Sequence, residues 1–149
     1  MNVVALETSL QGLDSLTGID SLCLFVAADD RPLQGLSGFV DWRLRGQLSR
    51  ILIEGDFLGD NEDWLLIPTV PQMNIPRIFA MGIGNLEDLS DRRVDECLAV
   101  AARKLSRAKM ISVALEIPQS RFTGTAALER LNACFIPEFS GERVVLFRG

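Results

Sequence analysis

The sequence predicts an α/β fold, and three observations carry that expectation. Its apolar runs alternate between strand length and helix length, one short run is apolar at both parities, and one long amphipathic run has its charges ordered along its axis. Residues 3–6 (Val3, Val4, Ala5, Leu6) read as the first strand. Residues 22–27 present apolar side chains in both directions, as a strand covered on both faces should, and both this strand and 3–6 are expected inside the sheet. From about residue 36 to 54, Val40, Leu44, Leu48 and Ile51 recur at helical spacing, with Ser37 as the expected N-cap and Gly55 as the expected residue closing the helix. Gly46 interrupts this helix at a cost of about 1 kcal/mol relative to alanine.

Residues 64–67, stopped by Pro68, and residues 78–81, ending at Gly82, are two further strands, and Pro68, Pro71 and Pro76 mark the segment between them as a turn or sheet edge. A second helix from Ser90 to about Ala108 would bury Val94, Cys97, Leu98, Ala101 and Leu105. Asp91, Asp95 and Glu96 lie early in it and Arg103, Lys104 and Arg107 late, the order that the helix dipole favours. A strand over 110–117 ended by Pro118, a helix over 125–132 and a strand over 144–147 complete the expected order β-β-α-β-β-α-β-α-β.

Composition narrows the chemistry. At 149 residues, 48% apolar and 23% charged, the chain has the means to bury one core and is not a disordered sequence. It contains no histidine, which excludes Ser-His-Asp, Cys-His and histidine-ligated metal chemistry. The net charge of −5 gives no general attraction to phosphate backbones or anionic lipid, so nucleic acid is a disfavoured partner. Arg43, Arg45, Arg50, Arg103, Lys104, Arg107 and Lys109 are read as solvated helix faces. Cys23, Cys97 and Cys134 match neither a zinc spacing nor a disulfide framework and read as reduced thiols, the first two in the core. No stretch of about 18 apolar residues and no basic leader occur, so the expectation is a cytoplasmic protein without a membrane span.

A family resemblance enters through particular residues. Phe39-Val40-Asp41-Trp42, then Gly46-Gln47-Leu48, then Glu54-Gly55-Asp56-Phe57-Leu58-Gly59 resemble the N-terminal domain of the leucyl aminopeptidases, the M17 peptidase family. Arg77 to Gly84 is similar to that family's strand ending in Gly-Leu-Gly, Ala99, Ala101 and Ala102 fit its alanine-rich helix, and Asp20 before an apolar strand fits as well. The resemblance implies a three-layer α/β/α arrangement with a mixed sheet of about six strands, like that of the macro domains. It further implies one such domain over residues 1–149, standing alone, with the catalytic metal domain absent. The family's metal ligands and catalytic arginine belong to that other domain, and its Asn-Thr-Asp-Ala-Glu-Gly-Arg and Asp-Thr-Gly-Gly motifs do not occur here. No catalytic residue, metal site or cofactor is therefore assigned. The sequence departs from the family pattern at Asp60, where a lysine often stands, at Asn85, and in lacking tyrosine.

The candidate ligand-binding residues are Gly82, Gly84 and Asn85, in a turn between a strand and a helix where backbone N–H groups can cradle a phosphate. The alternative for the same residues is a tight structural turn. Asp56, Asp60, Glu62 and Asp63, with Asn61, have the oxygen atoms for a hard cation but not the spacing of a calcium loop, and read as a solvated loop in which Asp56 and Phe57 are structural. Asp29 and Asp30 read as turn residues. The expected function is a non-catalytic interaction or assembly module whose partner is a second copy or a separately encoded protein. The alternative is a macro-like binder of ADP-ribose or a related nucleotide.

Overall fold

A computed structural model describes residues 1–61 and 63–149. Its elements are β1 (Asn2–Glu7), α1 (Leu10–Asp14), β2 (Ser21–Val26), α2 (Gly35–Arg43), α3 (Gln47–Glu54), β3 (Trp64–Pro68), β4 (Arg77–Gly82), α4 (Asp91–Arg107), β5 (Ser112–Glu116), α5 (Gly124–Arg130) and β6 (Arg143–Arg148). The strands form one sheet in the order β1-β6-β5-β2-β4-β3, so β2 is interior as expected, whereas β1, expected inside, is an edge strand paired with β6. Only β3 runs antiparallel to its neighbour, so the sheet is mixed, as expected.

Alternation along the strands divides the core into two layers. Cys23, Phe25, Met81, Val113, Leu115, Val144 and Leu146 face α4 and α5, where Val94, Leu98, Ala101, Leu105 and Ala127 meet them. Leu22, Leu24, Val26, Ile78, Ala80, Ala114 and Val145 point the other way and pack on Leu13, Val40, Leu44, Leu48 and Leu52 of the α1–α3 side. Helices on both faces of a largely parallel sheet give the three-layer architecture. The predicted helical stripes Val40, Leu44, Leu48 and Val94, Leu98, Ala101 are all buried.

Three local expectations are corrected. The helix expected over 36–54 is two helices, because Arg45 (φ 57°) and Gly46 (φ 79°) both adopt the left-handed conformation and end the first. Asp41 makes the break favourable: its carboxylate accepts the Ser49 N–H (3.0 Å) and the Ser49 hydroxyl, capping the first turn of α3. Ser37 is not the N-cap of α2. The helix starts at Gly35 after an extended Gln34 whose side chain makes no capping bond, and Ser37 lies buried in the first turn. Elsewhere the caps agree with the sequence. Ser90 accepts the Arg93 N–H (3.1 Å) at the start of α4, and Gly55 (φ 82°) closes α3. The helix expected over 125–132 runs as α5 only to Arg130, continues as a wider π turn over Leu131–Phe135 and ends in a short 3-10 turn with Pro137, which has no N–H to extend an α-helix.

The helix break between α2 and α3 leads to two opposite expectations. Arg45→Gly should stabilise the fold by about 0.5–1 kcal/mol by removing a side chain from left-handed backbone, whereas Gly46→Ala should destabilise it by about 1–2 kcal/mol. Urea unfolding midpoints of the two variants check both signs.

Candidate functional site

The parallel strands β2, β4, β5 and β6 end on one side of the sheet, and in open α/β sheets ligands bind beyond such carboxyl ends. A cleft of about 150 Å³ lies there, between the ends of β2 and β5 and the start of α2, lined in part by Asp30, Gln34, Gly35, Glu116 and Gln119. Sites for drug-sized ligands are typically about 300–1,000 Å³, so this cleft is small for a nucleotide.

Glu116, the last residue of β5, fills the position an anion would take at the N-terminus of α2. One carboxylate oxygen accepts the Leu36 N–H (3.2 Å) and the other accepts the Thr8 hydroxyl (2.6 Å). Gly35 has φ 59°, and a Cβ on it would come within 2.5 Å of Glu116 Oε1. The helix thus receives a negative charge from its own chain, favourable to its dipole and to its free first-turn N–H. Asp30 is buried and accepts Gln119 Nε2 (3.2 Å), while Asp29 turns elsewhere and accepts the Leu86 N–H (2.9 Å), so the two adjacent carboxylates do not converge.

The candidate turn follows β4, across β2 from the cleft, and its backbone donors are engaged. Gly82 N–H donates to the Asp63 carbonyl (2.8 Å), Ile83 N–H to Val26 (3.1 Å) and Gly84 N–H to Gly59 (3.0 Å). Ala28 N–H donates to the Gly84 carbonyl (2.9 Å), which stitches the ends of β2 and β4 together. Gly82 is required by space: a Cβ there would stand 2.0 Å from the Asp60 carbonyl oxygen and 2.7 Å from the Gly59 carbonyl carbon. Asn85 has extended backbone and no side-chain capping bond to the turn that follows it. Gly82, Gly84 and Asn85 therefore do adjoin the carboxyl edge, in a turn whose N–H groups at 82–84 point to carbonyls of the protein.

The remaining candidates fall in separate places. Phe57 is a core residue, whereas Asp56, Asp60, Asn61 and Asp63 are exposed; Glu62 lies outside the described residues. Among the described residues, no three His, Cys, Asp or Glu side chains come together as a metal site. Of the basic residues, Arg43 pairs with Asp14 (Nε to Oδ1 2.8 Å) and Arg103 with Glu138 (3.5 Å). Cys23 and Cys97 are buried. Burial, with the adjacent Cys97, pushes the Cys23 thiol pKa far up. Burial, then the nearby Asp95, raises that of the half-buried Cys134, against the pull of Arg130.

Glu116, Thr8 and Gly35 were not singled out by sequence reasoning. A signal was present: Glu116 is the only charged residue between Lys109 and Arg121, at the end of an interior strand, where a carboxylate needs a partner. Its partners lie 108 and 80 residues away in sequence.

The arrangement defines a macro-like α/β domain. The macrodomain of Thermus aquaticus DarG superposes with a TM-score of 0.68 over 99% of this chain and 98% of its own, at 13% identity. A mutant of tomato leucine aminopeptidase gives a TM-score of 0.66 over 100% of this chain but 33% of its own, at 16% identity. At such identities the likeness shows the fold. The family follows from sequence: residues 23–135 match the N-terminal domain of the cytosol aminopeptidase family, and the chain belongs to that family. A "Probable cytosol aminopeptidase" of Cupriavidus pinatubonensis is 26% identical over 133 residues, covering 86% of this chain and 26% of the relative. The chain thus spans about a quarter of the length of the curated relatives it matches. Among the described residues, no helix is long and apolar enough to cross a membrane.

Two outcomes are expected. Gly82→Ala should cost more than about 2 kcal/mol in urea unfolding, because the obstruction is backbone and the strand must move to admit a methyl group. Cys23 and Cys134 should stay protonated and resist iodoacetamide at pH 7–8, and the stability held by their raised pKa values should be lost as pH rises above about 8.5, where the unfolded thiols ionise. Mass spectrometry of alkylated protein and unfolding midpoints against pH check these.

Proposed function

We propose that this chain acts as a non-catalytic interaction or assembly module in the cytoplasm, joining a second copy or a separately encoded protein. The observation that carries the reading is Glu116, which supplies from within the chain the anion that the start of α2 would otherwise take from a ligand. The engaged N–H groups of Gly82, Ile83 and Gly84 support it, since a diphosphate would have to break three internal hydrogen bonds to reach them. The match of residues 23–135 to the N-terminal domain of that family supports a role other than peptide hydrolysis for these residues.

Calorimetry with ADP-ribose separates this reading from a nucleotide-binding one. No binding tighter than about 100 μM, equivalent to roughly −5.5 kcal/mol, is expected. Micromolar binding abolished by Gly84→Glu would overturn the interaction reading. Leucyl amide should not be hydrolysed with added zinc or manganese, and turnover that persists after removal of contaminants would overturn the non-catalytic part.

A further inference from the structure

The sheet has one open edge flanked by an apolar groove. β3 is the terminal strand of the sheet and pairs only with β4. Gly82 N–H donates to the Asp63 carbonyl (2.8 Å) and Thr69 N–H to the Pro76 carbonyl (3.2 Å), which fixes the phase of the antiparallel ladder. Hydrogen-bonded pairs alternate along such a ladder, so Leu65 and Ile67 direct their main-chain groups at β4, while Trp64 and Leu66 turn theirs outward. Pro68, the next outward position, lacks an N–H, so the edge offers two donors.

On the α4 side of this edge, Trp64, Leu66 and Phe79 form the floor of a groove whose wall is Lys104, Arg107 and Ala108. Leu66 is 57% exposed and lies opposite Phe79 on the neighbouring strand. Lys104 Nζ lies 5.1 Å from the centre of the Trp64 ring. Arg43, Arg92, Arg93, Arg103, Arg121 and Arg130 all have carboxylate partners. Among the described residues, Lys104 and Arg107 have none, so the groove is a local positive rim on a chain of net charge −5.

We propose that this groove is a docking site for an extended, acidic segment of a partner protein. The segment adds to β3 as a further strand, seats apolar side chains on Leu66 and Phe79, and directs carboxylates to Lys104 and Arg107. The main-chain donors give the strand its register, every second residue faces α4 so that apolar and acidic side chains share that face, and the uncompensated cations select acidic over basic sequences. A second copy of this chain suits the site less well. Pairing β3 with itself about a two-fold axis would put both copies' Lys104 and Arg107 on the same face, where like charges repel. This inference rests on the interaction reading above and deepens it.

The test uses the full chain and a labelled, end-blocked heptapeptide of sequence valine-threonine-glutamate-threonine-valine-threonine-glutamate, which carries valine and glutamate on one face, with the counterpart bearing lysine for glutamate as control. Fluorescence anisotropy should show saturable binding of the acidic peptide at sub-millimolar concentration, weakening as salt is raised, and none of the basic one. Amide exchange at Trp64 and Leu66 should slow when the acidic peptide is bound. The double variant Lys104→Glu, Arg107→Glu, both exposed positions, should weaken binding at least tenfold. Leu66→Pro, which removes an outward donor without touching the β4 ladder, should do the same. No binding up to 1 mM, equal binding of both peptides, or unchanged exchange at Trp64 and Leu66 would overturn the proposal. Protection of those two amides by raising the concentration of the chain alone would assign the edge to a second copy and also overturn it. Each of these leaves the interaction reading standing, because that reading fails separately, on micromolar ADP-ribose binding.

Discussion

The constraint on which the rest of the structure depends is the burial of β2 on both faces. It pairs with β5 on one side and β4 on the other, and so joins the β1-β6-β5 half of the sheet to the β4-β3 half. All six of its residues are buried, and their two parities supply both core layers. A strand in that position can carry almost no polar side chain, and its exception, Ser21, donates to the Ser112 carbonyl (3.2 Å). Just ahead of it, Asp20 accepts the N–H groups of Ile111 (2.7 Å) and Ser112 (3.2 Å), while the Ser112 hydroxyl accepts the Asp20 N–H (2.8 Å). The amino end of β2 is thereby fixed to β5 before the strand begins.

The carboxyl end is held by closeness of backbone. Ile83 N–H bonds to Val26 and Ala28 N–H to Gly84, and the loop through Gly59 lies against both strands. A Cβ on Gly59 would come within 2.9 Å of the Ala27 carbonyl oxygen, and one on Gly82 within 2.0 Å of Asp60. These glycines are where they are because main chain meets main chain. The same spacing that suggests a phosphate turn in sequence is thus also the spacing of a tight junction between two strand ends, and the two differ only in what the N–H groups face.

That difference sets the limit of what the sequence reveals. Strands and helices are written locally: β2 in its continuous apolar run, α4 in its stripe, its charge order and Ser90, β3 as an edge strand in its bordering prolines. The break at Arg45–Gly46 is less legible, because arginine carries no signal for left-handed backbone, although Asp41 eight residues before Ser49 is the cap that sustains it. The short α1 went unread because five residues show too little periodicity, leaving only Ser9, which accepts the Gly12 N–H. Glu116 is harder still. Its charge is visible, but its partners come from the turn after β1 and the start of α2, which only the strand order brings together.

The strand order also bears on where a partner can be met. With Glu116 accepting the Leu36 N–H and the 82–84 amides engaged, these donors at the carboxyl edge are satisfied by the protein itself. Unsatisfied main-chain groups then remain at the two lateral edges, β1 and β3, and an open edge persists in a stable protein only if it is short, charged or covered. β1 ends in Glu7 and lines up with β6 along all six of its residues. β3 is five residues long and blunted at one end by Pro68, which guards against open-ended pairing yet leaves Leu66 exposed between two uncompensated cations and an aromatic floor. A short edge bounded by proline would limit the length of any strand added there, and on the docking proposal the positive rim would discriminate by charge which strand that is. Those two restrictions are what distinguish a selective edge from an aggregation-prone one.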